Sequence, residues 1–240
     1  MSREAMSPPR LWPAVVVVLA AVACAGTDPV APQAPGKHGE QAGSEGSATP
    51  ASLVRVTSGA ITAADLAWSR VRSPVFRAFV EGSSGDAIEL DFEYDGPTET
   101  REALASGEVR EQIGVKLRAR DTCNVVYVMW HHGDSPALEA SVKHNPGSTQ
   151  HSECGDRGYT VLRPDRLASE LPPLRAGERH SLRAEIHGDR LVAFIDGKEA
   201  WSGRLPRSQA DFRGPAGIRS DNIAHQFAVR APLEPSRTRQ

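Results

Sequence analysis

The chain has 240 residues, 39% of them apolar and 24% charged, an ordinary composition for a globular protein. A formal net charge of −2 argues against the strongly basic face that a nucleic acid or an anionic membrane surface demands. With 21 glycines, 18 prolines and only 5% aromatic residues, the sequence reads as rich in turns and poor in long helices.

Arg3 and Arg10 precede an apolar run from Leu11 to Ala23. Thirteen residues make roughly 20 Å of helix, too short for a hydrocarbon core of about 30 Å. The small residues Ala21, Val22 and Ala23 close the run where a signal peptidase reads. Residues 1–23 are therefore expected to be a secretory signal. Cys24 follows at once, and Leu19 to Cys24 resembles a lipobox, with Ala21 where leucine is commonest. That resemblance implies a lipidated Cys24, a bacterial envelope address on the periplasmic or cell-surface side, and contact with the membrane through a lipid anchor only. Ordinary cleavage leaving a free Cys24 is the alternative. Residues 24–52 show neither a 2-residue nor a 3.6-residue period, so a disordered tether is expected. A frayed tail is expected over 233–240.

The folded part is expected over 53–232, about 180 residues, long enough for one core. Ile88, Leu90, Phe92 and Tyr94 alternate with Glu89, Asp91, Glu93 and Asp95. Val115, Leu117 and Ala119 alternate with Lys116, Arg118 and Arg120. Leu182, Ala184 and Ile186 alternate with Arg183, Glu185 and His187. Such alternation puts one face of a strand on a core and the other in water. Val125 to Trp130 is apolar on both faces, as for a central or covered strand. His187 to Arg190 reads as a turn, and Asp196-Gly197 as a hairpin turn, because a type I′ turn needs positive φ. Short helices are expected only at Ala63–Trp68 and Asp165–Leu171. The sum is an all-β, antiparallel two-sheet sandwich.

Three stretches carry a family resemblance. Ala176 to Trp201 resembles the C-terminal hairpin of concanavalin A-like jelly rolls. Gly214 to Asn222, with its closing strand to Val229, resembles the ending of their laminin-G-like and sugar-hydrolase-like relatives. Gly114 to Asp121 looks like their central strand. The resemblance covers about the last half of the domain. It implies a jelly-roll sandwich, a fold that hosts lectins, glycosidases, adhesion modules and structural domains alike.

Cys123 and Cys154 are the two cysteines of the folded part, and in an exported chain they are expected to pair. A metal site drawing on them with His131, His132, His144 or His151 lacks the short Cys/His spacing that zinc sites use. No metal and no cofactor are expected. Glu89, Asp91 and Glu93 form E-x-D-x-E on one strand face, which resembles the catalytic motif of a family of retaining β-glucanases in the same superfamily. The resemblance implies Glu89 as nucleophile, Glu93 as acid/base and Asp91 as support. Against it, Cα atoms four apart on a strand are about 13 Å apart, whereas retaining carboxyl groups stand about 5–5.5 Å apart. The plainer reading is a solvated face paired with Lys116, Arg118 and Arg120 on a nearby strand.

Loop sites for sugars usually need calcium, and Asp134, Glu153, Asp156, Asp221 and Asn222 make no dense acidic cluster. A calcium-independent site is expected instead around Tyr127 and His131, with Arg118 and Arg120 as neighbours. Because Val126 and Val128 share Trp130's face, Trp130 is assigned to the core, and Tyr127→Ala is expected to spare the melting temperature. Three functions remain: a non-catalytic envelope module binding a glycan or a protein partner, a glycoside hydrolase, and a structural lipoprotein with no small ligand.

Overall fold

The computed structural model of the protein describes residues 48–64 and 68–234. The signal, Cys24 and most of the expected tether lie outside the described residues. The strands, in chain order, are β1 (Val54–Ser58), β2 (Thr62–Ala63), β3 (Ser69–Val71), β4 (Val75–Val80), β5 (Ala87–Pro97), β6 (Gln112–Leu117), β7 (Asn124–His131), β8 (Ala137–His144), β9 (Tyr159–Val161), β10 (Pro164–Leu167), β11 (Arg179–His187), β12 (Arg190–Ile195), β13 (Lys198–Arg204), β14 (Gly217–Asp221) and β15 (Ile223–Arg230). Two single-turn helices, α1 (His151–Cys154) and α2 (Arg207–Ala210), sit between strands.

The strands form two antiparallel sheets facing each other as a sandwich. One has seven strands in the order β1-β4-β14-β6-β7-β8-β9, the other eight in the order β10-β13-β12-β11-β5-β15-β3-β2. Ile113, Val115 and Leu117 of β6 and Val126, Val128 and Trp130 of β7 point inward from the first sheet. They meet Ile88, Leu90 and Phe92 of β5 and Leu182, Ala184 and Ile186 of β11. Trp130 packs edge-on to Phe92 at 5.8 Å, a favourable quadrupole arrangement. The alternation in β5 and β11 thus has its cause in one dry face per strand.

Both expected turns are present. Gly188-Asp189 joins β11 to β12, and Asp196-Gly197 joins β12 to β13. Asp196 and Gly197 have φ of 49° and 76°, the positive pair that a type I′ turn requires.

Two expectations are corrected. Asp165–Leu171 is not a helix: its first residues belong to β10, which finds its backbone partners on β13, and Pro172 and Pro173 forbid helical continuation. The expected helix at Ala63–Trp68 begins on β2, and residues 65–67 lie outside the described residues. The sandwich also extends further toward the N-terminus than residue 53. The Thr49 amide donates to the Val229 carbonyl at 2.8 Å, and its hydroxyl accepts from Ala231 N at 3.3 Å.

Candidate functional site

β7 is buried on both faces because something covers its outer side. Val125, Tyr127 and Met129 form a second small cluster there with Phe79 and Ala119. That outer side is the floor of a cleft of about 660 Å³ on the outer face of the seven-stranded sheet, where side chains of the neighbouring strands crowd over it. Its floor takes the outward residues of successive strands: Arg77 and Phe79 from β4, Arg219 and Asp221 from β14, Gln112 and Lys116 from β6, Tyr127 and His131 from β7, Ser141 and Lys143 from β8, and Tyr159 from β9. Two walls stand at opposite ends of these strands. One is the β5–β6 loop, through Ala103 to Ser106, Glu108 and Arg110. The other is the β8–β9 connection, through His151, Gly155 and Asp156, beside Asp121 and Thr122 of the β6–β7 turn.

Each wall is pinned by a buried polar group. Asn222, fully buried at φ 56°, accepts from Glu102 N at 2.8 Å and donates to the carbonyls of Glu102 (2.9 Å) and Arg110 (2.8 Å). Asparagine tolerates that left-handed backbone, and its amide replaces the strand partners that the loop lacks. On the other side, Cys123 and Cys154 are bonded, with Cα atoms 6.0 Å apart. Asn124 donates to Ser148 O at 3.0 Å and accepts from Asn145 N at 3.0 Å. Lys143 Nζ donates to Gly155 O at 2.5 Å. Glu153 caps α1 by accepting from the amides of Thr149 and Gln150.

The centre of the floor is ionic. Asp221, 1% exposed, accepts from Arg77 at 2.5 Å, from Gln112 at 2.6 Å and from Arg219 at 2.9 Å. Burial works to raise its pKa, but the two guanidinium groups and these hydrogen bonds outweigh it and hold the carboxyl below its ordinary value. Arg219 reaches over the Tyr127 ring at 5.1 Å. Tyr127 stacks on Tyr159 at 6.0 Å with the planes 29° apart, and Lys143 lies 5.2 Å over the Tyr159 ring. Lys116 Nζ stands 3.7 Å above the Phe79 ring. Burial pushes its pKa well below the ordinary lysine value, and the nearby Arg77, Arg219 and Arg55 push it further. Tyr159 and Val161 of edge strand β9 are 41% and 62% exposed. They give the cleft an accessible apolar margin.

The structure brings together only some of the residues expected from sequence. Tyr127 and His131 share the cleft and face away from Trp130, which is in the core. Tyr127 is nonetheless only 6% exposed, so its truncation costs stability, contrary to the expectation that the melting temperature would be spared. His131 Nε2 is buried without a partner, and burial, reinforced by Arg110 and Arg219, pushes its pKa down to about 4. Arg118 and Arg120 do not line the cleft. Alternation would aim Arg118 outward, but its φ of 46° ends the strand. Its guanidinium instead pairs with Asp86 at 2.5 Å and donates to the Ala210 carbonyl. Arg120 is exposed on the following turn.

Glu89, Asp91 and Glu93 lie on the outer face of the other sheet, away from the cleft. Arg230 bridges Glu89 (3.2 Å) and Asp91 (2.7 Å), and Arg179 pairs with Glu93 at 2.8 Å. The expected partners Lys116, Arg118 and Arg120 belong to the opposite sheet or its end. Among the described residues no group of three or more His, Cys, Asp or Glu side chains is placed to hold a metal ion.

The chain matches no protein-family model and no curated protein. Solved structures with a similar arrangement include the carbohydrate binding module CBM66 from Bacillus subtilis, at 14% identity and a TM-score of 0.49, covering 75% of this chain and 93% of that one. The galectin LEC-6 of Caenorhabditis elegans matches at 14% identity and 0.38, over 67% and 93%. A GH43 protein from Bacillus licheniformis matches at 14% and 0.39, over 73% of this chain and 38% of that one. At such scores the site is read from its own residues.

Proposed function

We propose that the chain is a non-catalytic glycan-binding module, carried on the cell envelope by a lipid on Cys24. The observation that supports it best is the make-up of the cleft floor. Buried hydrogen-bonding groups from four adjacent strands lie beside an exposed aromatic ring, Tyr159. Small-ligand sites combine an apolar surface with a few fixed polar groups, and a sugar ring offers an apolar face with hydroxyls around it. Hydrolysis by the E-x-D-x-E strand is disfavoured because its carboxylates are tied to arginines outside the cleft.

The test is a glycan array probed with the mature protein, followed by Tyr159→Ala. The expected result is binding to a defined glycan set, at least tenfold weaker in the variant, with the melting temperature unchanged. Binding to no glycan, or equal binding by Tyr159→Ala, defeats the reading. For the anchor, Cys24→Ser should move the protein from the membrane fraction to the soluble one, and a variant that stays with the membrane at high salt removes the lipid from the proposal.

A further inference from the structure

Lys116 is anomalous within the cleft. It is 3% exposed and has no ion pair or hydrogen bond among the described residues. Its ammonium rests on the Phe79 ring. Its charged neighbours on β4 and β14 are Arg77 and Arg219, and the carboxylate between those two, Asp221, is already engaged by both and by Gln112. Arg55, over the Phe79 ring at 5.7 Å, is paired with Glu81. Beside Lys116 the floor therefore holds two further cations and one carboxylate, with Glu139 of β8 the other acid on the strands of the floor.

The backbone is shaped to allow it. Gly217 is the cross-strand neighbour of Lys116, and a Cβ there would stand 3.0 Å from the lysine Cε. Gly114, beside Arg219, also leaves no side chain on the floor, where a Cβ would fall 2.2 Å from the Val128 carbonyl and 2.7 Å from Met129 Sδ. A buried lysine without a counter-charge either costs stability as an ammonium or gives up its proton, and an anion beside it favours the charged form. Methionine or leucine on Phe79 would pack without that penalty. Groups that cost stability at a concave surface are characteristic of binding sites.

We infer that the cleft takes an acidic saccharide, with Lys116, between Arg77 and Arg219, meeting a carboxylate or sulfate carried by the sugar. This rests on the glycan-binding reading and adds the charge of the ligand to it. An anion at Lys116 supplies the counter-charge that the chain withholds, and Arg219 can share it while keeping Asp221. The neighbouring Tyr127–Tyr159 stack holds the sugar's apolar side.

The experiment uses matched polymers: polygalacturonate against its methyl-esterified form, and dextran sulfate against dextran, together with an array of acidic and neutral glycans. The expected result is that at least one acidic ligand binds tenfold or more tightly than its neutral counterpart, and less tightly as salt rises. Selective binding in the polygalacturonate pair assigns the carboxylate, and in the dextran pair the sulfate. Lys116→Met should abolish the preference while keeping or raising the melting temperature. Arg179→Gln, on the opposite sheet, should leave the preference intact. Binding restricted to neutral glycans, or a preference that survives Lys116→Met, overturns the inference while the glycan-binding reading stands. Binding to no glycan at all overturns both.

Discussion

The two outer faces of this sandwich carry similar side chains under opposite terms. On the eight-stranded sheet, Glu89 and Asp91 share Arg230, Glu93 faces Arg179, and Glu185 meets Arg183 and His187. These groups are open to water, with side-chain exposures between 22% and 71%. On the seven-stranded sheet the charges are fewer, deeper and unequal in sign, with Lys116 and Asp221 only 3% and 1% exposed. Density of charge alone is thus a poor guide to a site. The E-x-D-x-E strand has the denser carboxylates and the plainer role, a solvated face whose pairs are each worth little. What separates the two is burial without balance.

That contrast can be broken at its deepest point first. Asp221→Asn leaves the partly buried Arg77 and Arg219 beside Lys116 with no carboxylate between them. Removing one partner of a buried ion pair costs about 3–5 kcal/mol, so a loss of that order is expected in urea unfolding. A loss below about 1 kcal/mol would put the floor on the same footing as the opposite face. The next largest effect is expected at the wall. Replacing Cys123 and Cys154 together by serine removes a cross-link with a sequence separation of 31, worth about 3–4 kcal/mol in the chain-entropy model. A melting temperature lower by about 10 °C follows for a domain of this size, and glycan binding should fall with it, because the same bond holds the loop from Asn145 to Gly158 against β7. If binding is untouched, that loop is not part of the site. The smallest effect is expected on the solvated side. Glu93→Gln should change stability by less than about 1 kcal/mol and leave binding unaltered. A loss of binding there would reverse the assignment of the two faces.

Much of the sandwich was legible from period and punctuation. Ile88 to Tyr94 and Leu182 to Ile186 alternate because each strand has one dry face. Asp196-Gly197 turns because few other residues accept those angles. The doubly apolar β7 read as a central or covered strand, and it is an interior strand of its sheet whose outer face forms the floor of the cleft. The cleft itself was only half legible. Tyr127 and His131 could be found because they sit on one conspicuous strand. Arg77, Lys116, Arg219 and Asp221 could not, because they become neighbours only when β14 inserts between β4 and β6, a pairing of segments more than a hundred residues apart. Gly114 and Gly217 were the faint signal, two side-chain-free positions on outward faces of strands where a pleated surface normally carries bulk. Arg118 misled for a local reason: alternation holds only while the chain stays extended, and a single left-handed residue cancels it.

The walls stand at the two ends of the strands, so the open path between them runs across the sheet from β1 to β9. Six interstrand spacings of about 4.8 Å make that path roughly 29 Å long, several times the width of one sugar ring. A ligand laid along it meets Phe79, Lys116 and Arg219, then Tyr127, then Tyr159 in succession, as a row of subsites. On the proposed glycan-binding reading, affinity would accumulate with the number of linked sugar units until the row is filled, and an interior stretch of a long chain would be held as well as its end. Such a row would grip a polymer along its length and retain it where single sugars come and go.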